Sequence, residues 1–161
     1  MEKFEKYLVR RIDKKKNIAG LLEYPSYVEI ETVNACNARC PMCTINDWNR
    51  NYPTMKDDVF NKISEDLIEN KKYLKRVTLH RDGEPLLDKK LSSKIAKFRD
   101  NGMNNTSIAT NVSLLNEKKS RELLEAGIGS ILMSVDSLKK EVFEKIRVRL
   151  NFEEVRDNAI K

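Results

Sequence analysis

The sequence predicts an α/β fold built on a parallel sheet, and three observations predict it. Short runs rich in β-branched and apolar residues alternate with longer stretches whose apolar residues recur every three or four positions. Four such strand-and-helix pairs follow one another, the rhythm of right-handed βα crossovers. The residues able to do chemistry fall just after the strand runs, where parallel sheets collect their sites.

The elements follow in order. From Lys3 to about Asn17, Phe4, Tyr7, Leu8 and Ile12 sit among charges at helical spacing, giving an N-terminal helical extension over residues 1–24. Gly20 and Pro25 lead into the first strand, Tyr27 to Val33, at the start of a core spanning 25–161. Thr54-Met55-Lys56-Asp57 has the form of a capping box, followed by Val59, Phe60, Ile63 and Leu67 on a first core helix. Arg76 to His80 reads as the second strand, bounded by Gly83 and Pro85. Leu91, Ile95 and Phe98 then mark a second helix stopped by Asn101-Gly102.

Thr106 to Thr110 is the third strand. Asn116 caps a third helix with Leu123 and Leu124 inward and Gly127 as its stop. Ile131 to Val135 is the fourth strand, and Leu138, Val142, Phe143 and Ile146 form the buried stripe of a fourth helix. A further helical pattern, with Phe152, Val155 and Ile160, runs from Asn151 to Lys161.

Composition narrows the function classes. The chain has 161 residues, 35% charged and 40% hydrophobic, enough for one domain with a real core. No apolar run approaches the roughly 18 residues that span a bilayer, and the N-terminus lacks a signal-peptide pattern. Thiols without a disulfide pattern point to a reducing cytoplasm. The net charge of +6 is spread among acidic residues. Its densest basic run, Arg10 to Lys16, fits a solvated helix face better than a nucleic-acid site, with an acidic partner or RNA as the other option.

All three cysteines, Cys36, Cys40 and Cys43, lie within eight residues directly after the first strand. An odd number so closely spaced argues against a disulfide framework. Soft ligands on one loop suit iron–sulfur or zinc chemistry. A structural zinc takes four ligands, and the only histidine, His80, is far along the chain. Four irons held by three cysteines would leave one iron open to a substrate or cofactor. Asp82-Gly83-Glu84-Pro85 ends strand two, Thr110-Asn111 ends strand three, and Ser134 and Asp136 end strand four. These four stretches converge on one rim. Asn34 and Asn37 are placed to satisfy backbone groups of the cysteine loop, and His80 reads as a structural strand residue.

At these residues the chain resembles the radical S-adenosylmethionine (SAM) superfamily. The C-x3-C-x2-C loop matches the signature that holds a 4Fe-4S cluster through three cysteines, here Cys36, Cys40 and Cys43. Gly83-Glu84-Pro85-Leu86-Leu87 resembles the motif that meets the methionyl amino group of S-adenosylmethionine. Thr110-Asn111 and Ser134-Val135-Asp136 resemble the strand-three and strand-four segments around that cofactor, and Met42 takes the place beside the adenine, often aromatic in the family. Asp82 and Val112 stand where the family usually has glycine.

The resemblance implies a partial (βα) barrel, of which about four units are read here, with a radical SAM core that lacks the last strands. It implies reductive cleavage of S-adenosylmethionine to a 5′-deoxyadenosyl radical that takes hydrogen from an unidentified substrate. It also implies an electron donor such as flavodoxin or ferredoxin, with no membrane partner. Two other readings stand beside it: a catalytically silent iron–sulfur module that senses redox state or iron, and a zinc-stabilised protein contacting RNA.

Overall fold

The computed structural model describes residues 24–47 and 53–160. The N-terminal helix expected over 3–17 lies outside them. Strands β1 (Tyr27–Glu29), β2 (Arg76–Thr78), β3 (Thr106–Thr110) and β4 (Ser130–Met133) form one sheet in that order. Every neighbouring pair is parallel, as the βα rhythm requires. Helix α1 (Asp57–Glu69) connects β1 to β2, α2 (Leu91–Asp100) connects β2 to β3, and α3 (Glu117–Ala126) connects β3 to β4. Helices α4 (Lys140–Ile146) and α5 (Phe152–Ile160) follow β4.

Register gives the sheet two unlike faces. Val28 lies beside Val77, and Ile108 beside Ile131, on the face that joins the core. Phe60 and Leu67 of α1, Leu91, Ile95 and Phe98 of α2, Leu123 of α3 and Phe143 of α4 complete that core. The Phe60 and Phe98 rings meet edge to face at 6.0 Å. Burial of each such side chain stabilises the fold by roughly 1.5–3 kcal/mol. The other face carries a row that crosses all four strands: Glu29, Thr78, Ser107 and Ser130. Thr78 and Ser107 share a hydroxyl hydrogen bond of 2.9 Å within that row.

Under α1 and α2 lies one buried charge pair. Lys94 donates to Asp88 at 2.7 Å, with side chains only 4% and 2% exposed. The Lys94 ammonium also sits 5.0 Å from the centre of the Phe60 ring. Asp88 ends the turn that carries Glu84, so this pair fixes that turn to α2.

Several local expectations need correction. β1 ends at Glu29, because the chain then turns away; Val33 pairs antiparallel with Thr54 in an isolated bridge. That bridge takes Thr54 away from α1, so no capping box forms and Lys56 precedes the helix without a side-chain cap. β4 likewise stops at Met133, before Ser134 and Val135. Leu124 is 70% exposed because the core face of the third helix is the one carrying Leu123 and Ala126. Of the stripe expected on α4, Phe143 alone is buried; Leu138 precedes the helix and is 85% exposed, and Val142 is exposed too. Ile160 also points outward, while Val155 is buried. The Asn116 cap holds, its side chain accepting from Lys119 N at 3.0 Å. Gly127 ends α3 at φ 84°, a conformation glycine adopts without penalty.

Candidate functional site

The chain leaves β1 through Ile30, whose amide donates to Thr78 O at 2.8 Å, and enters the cysteine loop. That loop is tightly wound. Cys43 N donates to Cys40 O at 3.0 Å, and Ala38 N lies 3.4 Å from Cys36 Sγ. The Arg39 guanidinium donates to the carbonyls of Cys36 and Ala38, both at 2.7 Å. Asn46 Nδ2 donates to Cys40 O at 3.1 Å. All three cysteines are free thiols, with Cys40 buried and the other two half-buried. Burial pushes the Cys36 thiol above its ordinary pKa, and the nearby Glu84 and Cys40 charges push the same way.

The turn after β2 docks directly on this loop. Glu31 Oε1 accepts from Asp82 N at 3.0 Å and Gly83 N at 3.2 Å, and Glu84 N donates to Ala35 O at 2.8 Å. Gly83 has no room for a side chain: a Cβ there would overlap the Val33 carbonyl oxygen. Glycine is therefore required by close approach of two backbones. Asp82, which departs from the family pattern, is not among the residues at positive φ, so its substitution carries no backbone strain.

Glu84 is the hub of the site and is 3% exposed. Its Oε1 accepts from Thr110 Oγ1 at 2.7 Å and Leu86 N at 3.1 Å, and its Oε2 from Asn111 N at 2.8 Å. Pro85 is buried and opens the short 3-10 turn Pro85–Leu87 behind it. The described residues give Glu84 hydrogen-bond donors but no ion-pair partner. Burial consequently raises its carboxyl above the ordinary value, although the three donors pull it down.

Strand three continues the network. Asn111 Nδ2 donates to Asn37 Oδ1 at 2.9 Å and lies 3.8 Å from Cys36 Sγ, while its Oδ1 accepts from Ser113 Oγ at 2.7 Å. Asn37 Nδ2 completes the cycle on Ser113 Oγ at 2.8 Å. Asn37 and Asn34 thus bond side chains, Asn34 to Glu31, rather than loop backbone as expected. Val112 follows at φ 69° and is fully buried. That conformation explains why glycine suits the position, and a β-branched residue pays roughly 1–3 kcal/mol of strain there.

Strand four contributes less. Ser134 N donates to Thr110 O at 2.9 Å. Asp136 pairs with Arg147 at the end of α4, and Arg147 Nη1 lies 3.8 Å from Cys40 Sγ.

A cavity of about 320 Å³ joins these pieces, lined by Cys36, Cys40, Met42, Cys43, Gly83, Glu84, Thr110, Asn111 and Ser134, among others. Pro85 and Asp136 support the wall from behind and beside it, rather than lining it. His80 and Arg147 do line it, although neither was assigned to the site from sequence. Strand β2 stops at Thr78, short of the expected His80. Alternation continued two residues past it puts His80 on the face of Thr78, a signal that was available, and burial lowers its pKa. Arg147 had no such signal, because it reaches Cys40 across 107 residues of chain.

The donor set favours a cluster over a single ion. Among the described residues, no three His, Cys, Asp or Glu side chains converge closely enough to hold one metal ion. A cubane instead spreads its thiolate ligands over separate iron corners. The buried Glu84, which has no ion-pair partner among the described residues, also suits a ligand that carries an ammonium group.

Comparison with known proteins bears on the family and the fold. Among curated sequences, the tungsten-containing aldehyde ferredoxin oxidoreductase cofactor-modifying protein of Pyrococcus furiosus is 30% identical over 112 residues, 70% of this chain and 31% of that protein. The GTP 3′,8-cyclase of Chlorobaculum tepidum is 32% identical over 138 residues, 80% of this chain and 38% of its own length. The chain thus spans about a third to two-fifths of these relatives. Two solved structures share the fold. SuiB of Streptococcus suis, bound to its precursor peptide SuiA, aligns with a TM-score of 0.70 at 18% identity, covering 88% of this chain and 32% of that one. BtrN in complex with AdoMet and 2-DOIA aligns with a TM-score of 0.61 at 24% identity, covering 81% and 54%. The family model described as the radical SAM superfamily matches residues 30–161, and the chain belongs to that superfamily.

Proposed function

We propose that this chain is a radical SAM enzyme core over residues 25–161, binding a 4Fe-4S cluster through Cys36, Cys40 and Cys43 and S-adenosylmethionine across the strand ends. The observation that carries the reading is the single cavity shared by the three thiols, the buried Glu84 carboxylate and the ends of β3 and β4. When bound, the cluster and S-adenosylmethionine supply one-electron cleavage of the sulfonium and a 5′-deoxyadenosyl radical able to take hydrogen from a substrate.

The protein's own part is binding, orientation and exclusion of water. Glu84, fixed by three donors, presents its carboxylate to the methionyl ammonium; that contact supplies the positive partner the described residues do not. Gly83 lets the turn lie close against the cysteine loop, and Pro85 stiffens it. Thr110 and Asn111 hold Glu84 in place, and the Asn37–Asn111–Ser113 cycle ties β3 to the loop. Met42, exposed beside the cavity, offers its backbone and thioether to the adenine, and Ser134 and Asp136 flank the ribose side. The electron comes from a small donor such as flavodoxin or ferredoxin, in a reducing cytoplasm. No helix among the described residues is long and apolar enough to cross a membrane.

A second reading, a cluster-binding module without turnover, is favoured by one observation: Leu132 and Met133 of β4 and Leu138 are exposed beside the site. Anaerobic reconstitution separates the readings. Dithionite-dependent release of 5′-deoxyadenosine from S-adenosylmethionine is expected of the enzyme. A loaded, reducible cluster with no such release supports the silent module instead, and zinc uptake without iron overturns both.

A further inference from the structure

Arg147 occupies a place that neither the motifs nor the proposed cofactor contacts account for. Its side chain is 19% exposed and spans two elements. Nε is engaged by Asp136, just past β4, while Nη1 points to Cys40 Sγ at 3.8 Å. The backbone around it is fixed as well. Arg147 N donates to Phe143 O at 2.7 Å at the end of α4, and Leu150 N donates back to Arg147 O at 3.0 Å. Arg149 closes that turn at φ 76°, a strained conformation for a non-glycine residue. The carbonyl of Val148, between them, accepts from Arg39 N in the cysteine loop at 2.9 Å. The turn over 147–150 is thus stitched to the loop by main chain and side chain together.

We propose that Arg147 is a positioning residue that sets the reduction potential of the cluster by donating to the sulfur of Cys40. The inference rests on the cluster reading above. A hydrogen bond and a permanent positive charge at a ligating sulfur stabilise whichever state of the cluster is more negative. Reduction adds one electron and makes the cluster more negative, so Arg147 raises the potential. The planar guanidinium can serve Asp136 and Cys40 at once, which a lysine ammonium matches poorly. Asp136 therefore acts through Arg147, aiming its fork at the loop.

The test uses the full chain, reconstituted anaerobically with iron and sulfide and without S-adenosylmethionine. Midpoint potentials are read by a redox titration followed by electron paramagnetic resonance, with iron content as the loading control. Arg147→Gln is expected to keep its iron and to make reduction about tenfold less favourable, a fall of about 59 mV for one electron. Arg147→Lys is expected to fall by less. An unchanged or raised potential in loaded Arg147→Gln overturns the proposal. If that variant takes up no iron, Arg147→Lys decides: a value below wild type supports the proposal and a wild-type value overturns it. A wild-type chain that takes up no iron overturns the cluster reading itself, whereas a loaded wild type with unmoved variants overturns only this inference.

Discussion

The ends of β2 and β3 and the end of β4 border the same cavity in opposite physical states. At β2 and β3, Glu84, Thr110 and Asn111 are buried and joined by short hydrogen bonds, with the Lys94–Asp88 pair beneath them. At β4, Leu132, Met133 and Leu138 are exposed, and Ser134 meets its neighbour mainly through backbone. One wall is rigid before any ligand arrives, because its polar groups satisfy one another in a dry setting. The other is held by the β3–β4 backbone ladder, with Arg147 and its turn bracing its far side. The proposed cofactor contacts therefore rest mainly on β2 and β3, with β4 as the less fixed side.

Substitutions at the two walls should differ in scale. The largest effect is expected from Lys94→Met, which strands the Asp88 charge in the core. Loss of about 3–5 kcal/mol in urea unfolding is expected, mostly recovered in the Lys94→Met/Asp88→Leu double variant. Gly83→Ala forces a methyl into the Val33 carbonyl. It should cost about 1–3 kcal/mol and, by pushing the turn off the cysteine loop, reduce iron uptake on reconstitution.

Glu84→Gln removes one acceptor from the network and should cost about 1–2 kcal/mol. Its sharper signature is in pH. Glu84 titrates above its ordinary range in the folded chain, so its protonated form favours the fold. The stability it contributes is complete at pH below the ordinary carboxylate value. It is lost as pH rises through the elevated one. The metal-free wild type should show that decline in its urea midpoint between the two values, and Glu84→Gln should not. The smallest effect is expected on the other wall: Leu138→Ser should stay within about 0.5 kcal/mol, and a larger loss would break the contrast.

Much of this site was legible in the sequence because its signals are local. The parallel pairing follows from the βα rhythm, and β3 spans the expected Thr106–Thr110. The cysteine spacing and the Gly83-Glu84-Pro85 turn stand on consecutive residues, so they can be read without a fold. What escaped was set by tertiary contact. The Val33–Thr54 bridge replaced a helix cap. Leu124 faces outward because helical spacing alone does not say which flank of a stripe is covered, and Leu138 is exposed because the helix begins only after it. Arg147 is the clearest case, since its partner on the cysteine loop is fixed only by how α4 packs. Val112 was legible as a departure, but its cost came into view only with its positive φ.

The central claim is that Cys36, Cys40 and Cys43 together hold a cluster, and iron stoichiometry tests it most directly. Anaerobic reconstitution should give roughly four irons and four sulfides per wild-type chain, with a brown charge-transfer band. Cys36→Ala, Cys40→Ala and Cys43→Ala should each lose most of both. Wild-type chains that bind one zinc and no sulfide, or a triple variant that keeps its iron, would contradict the account.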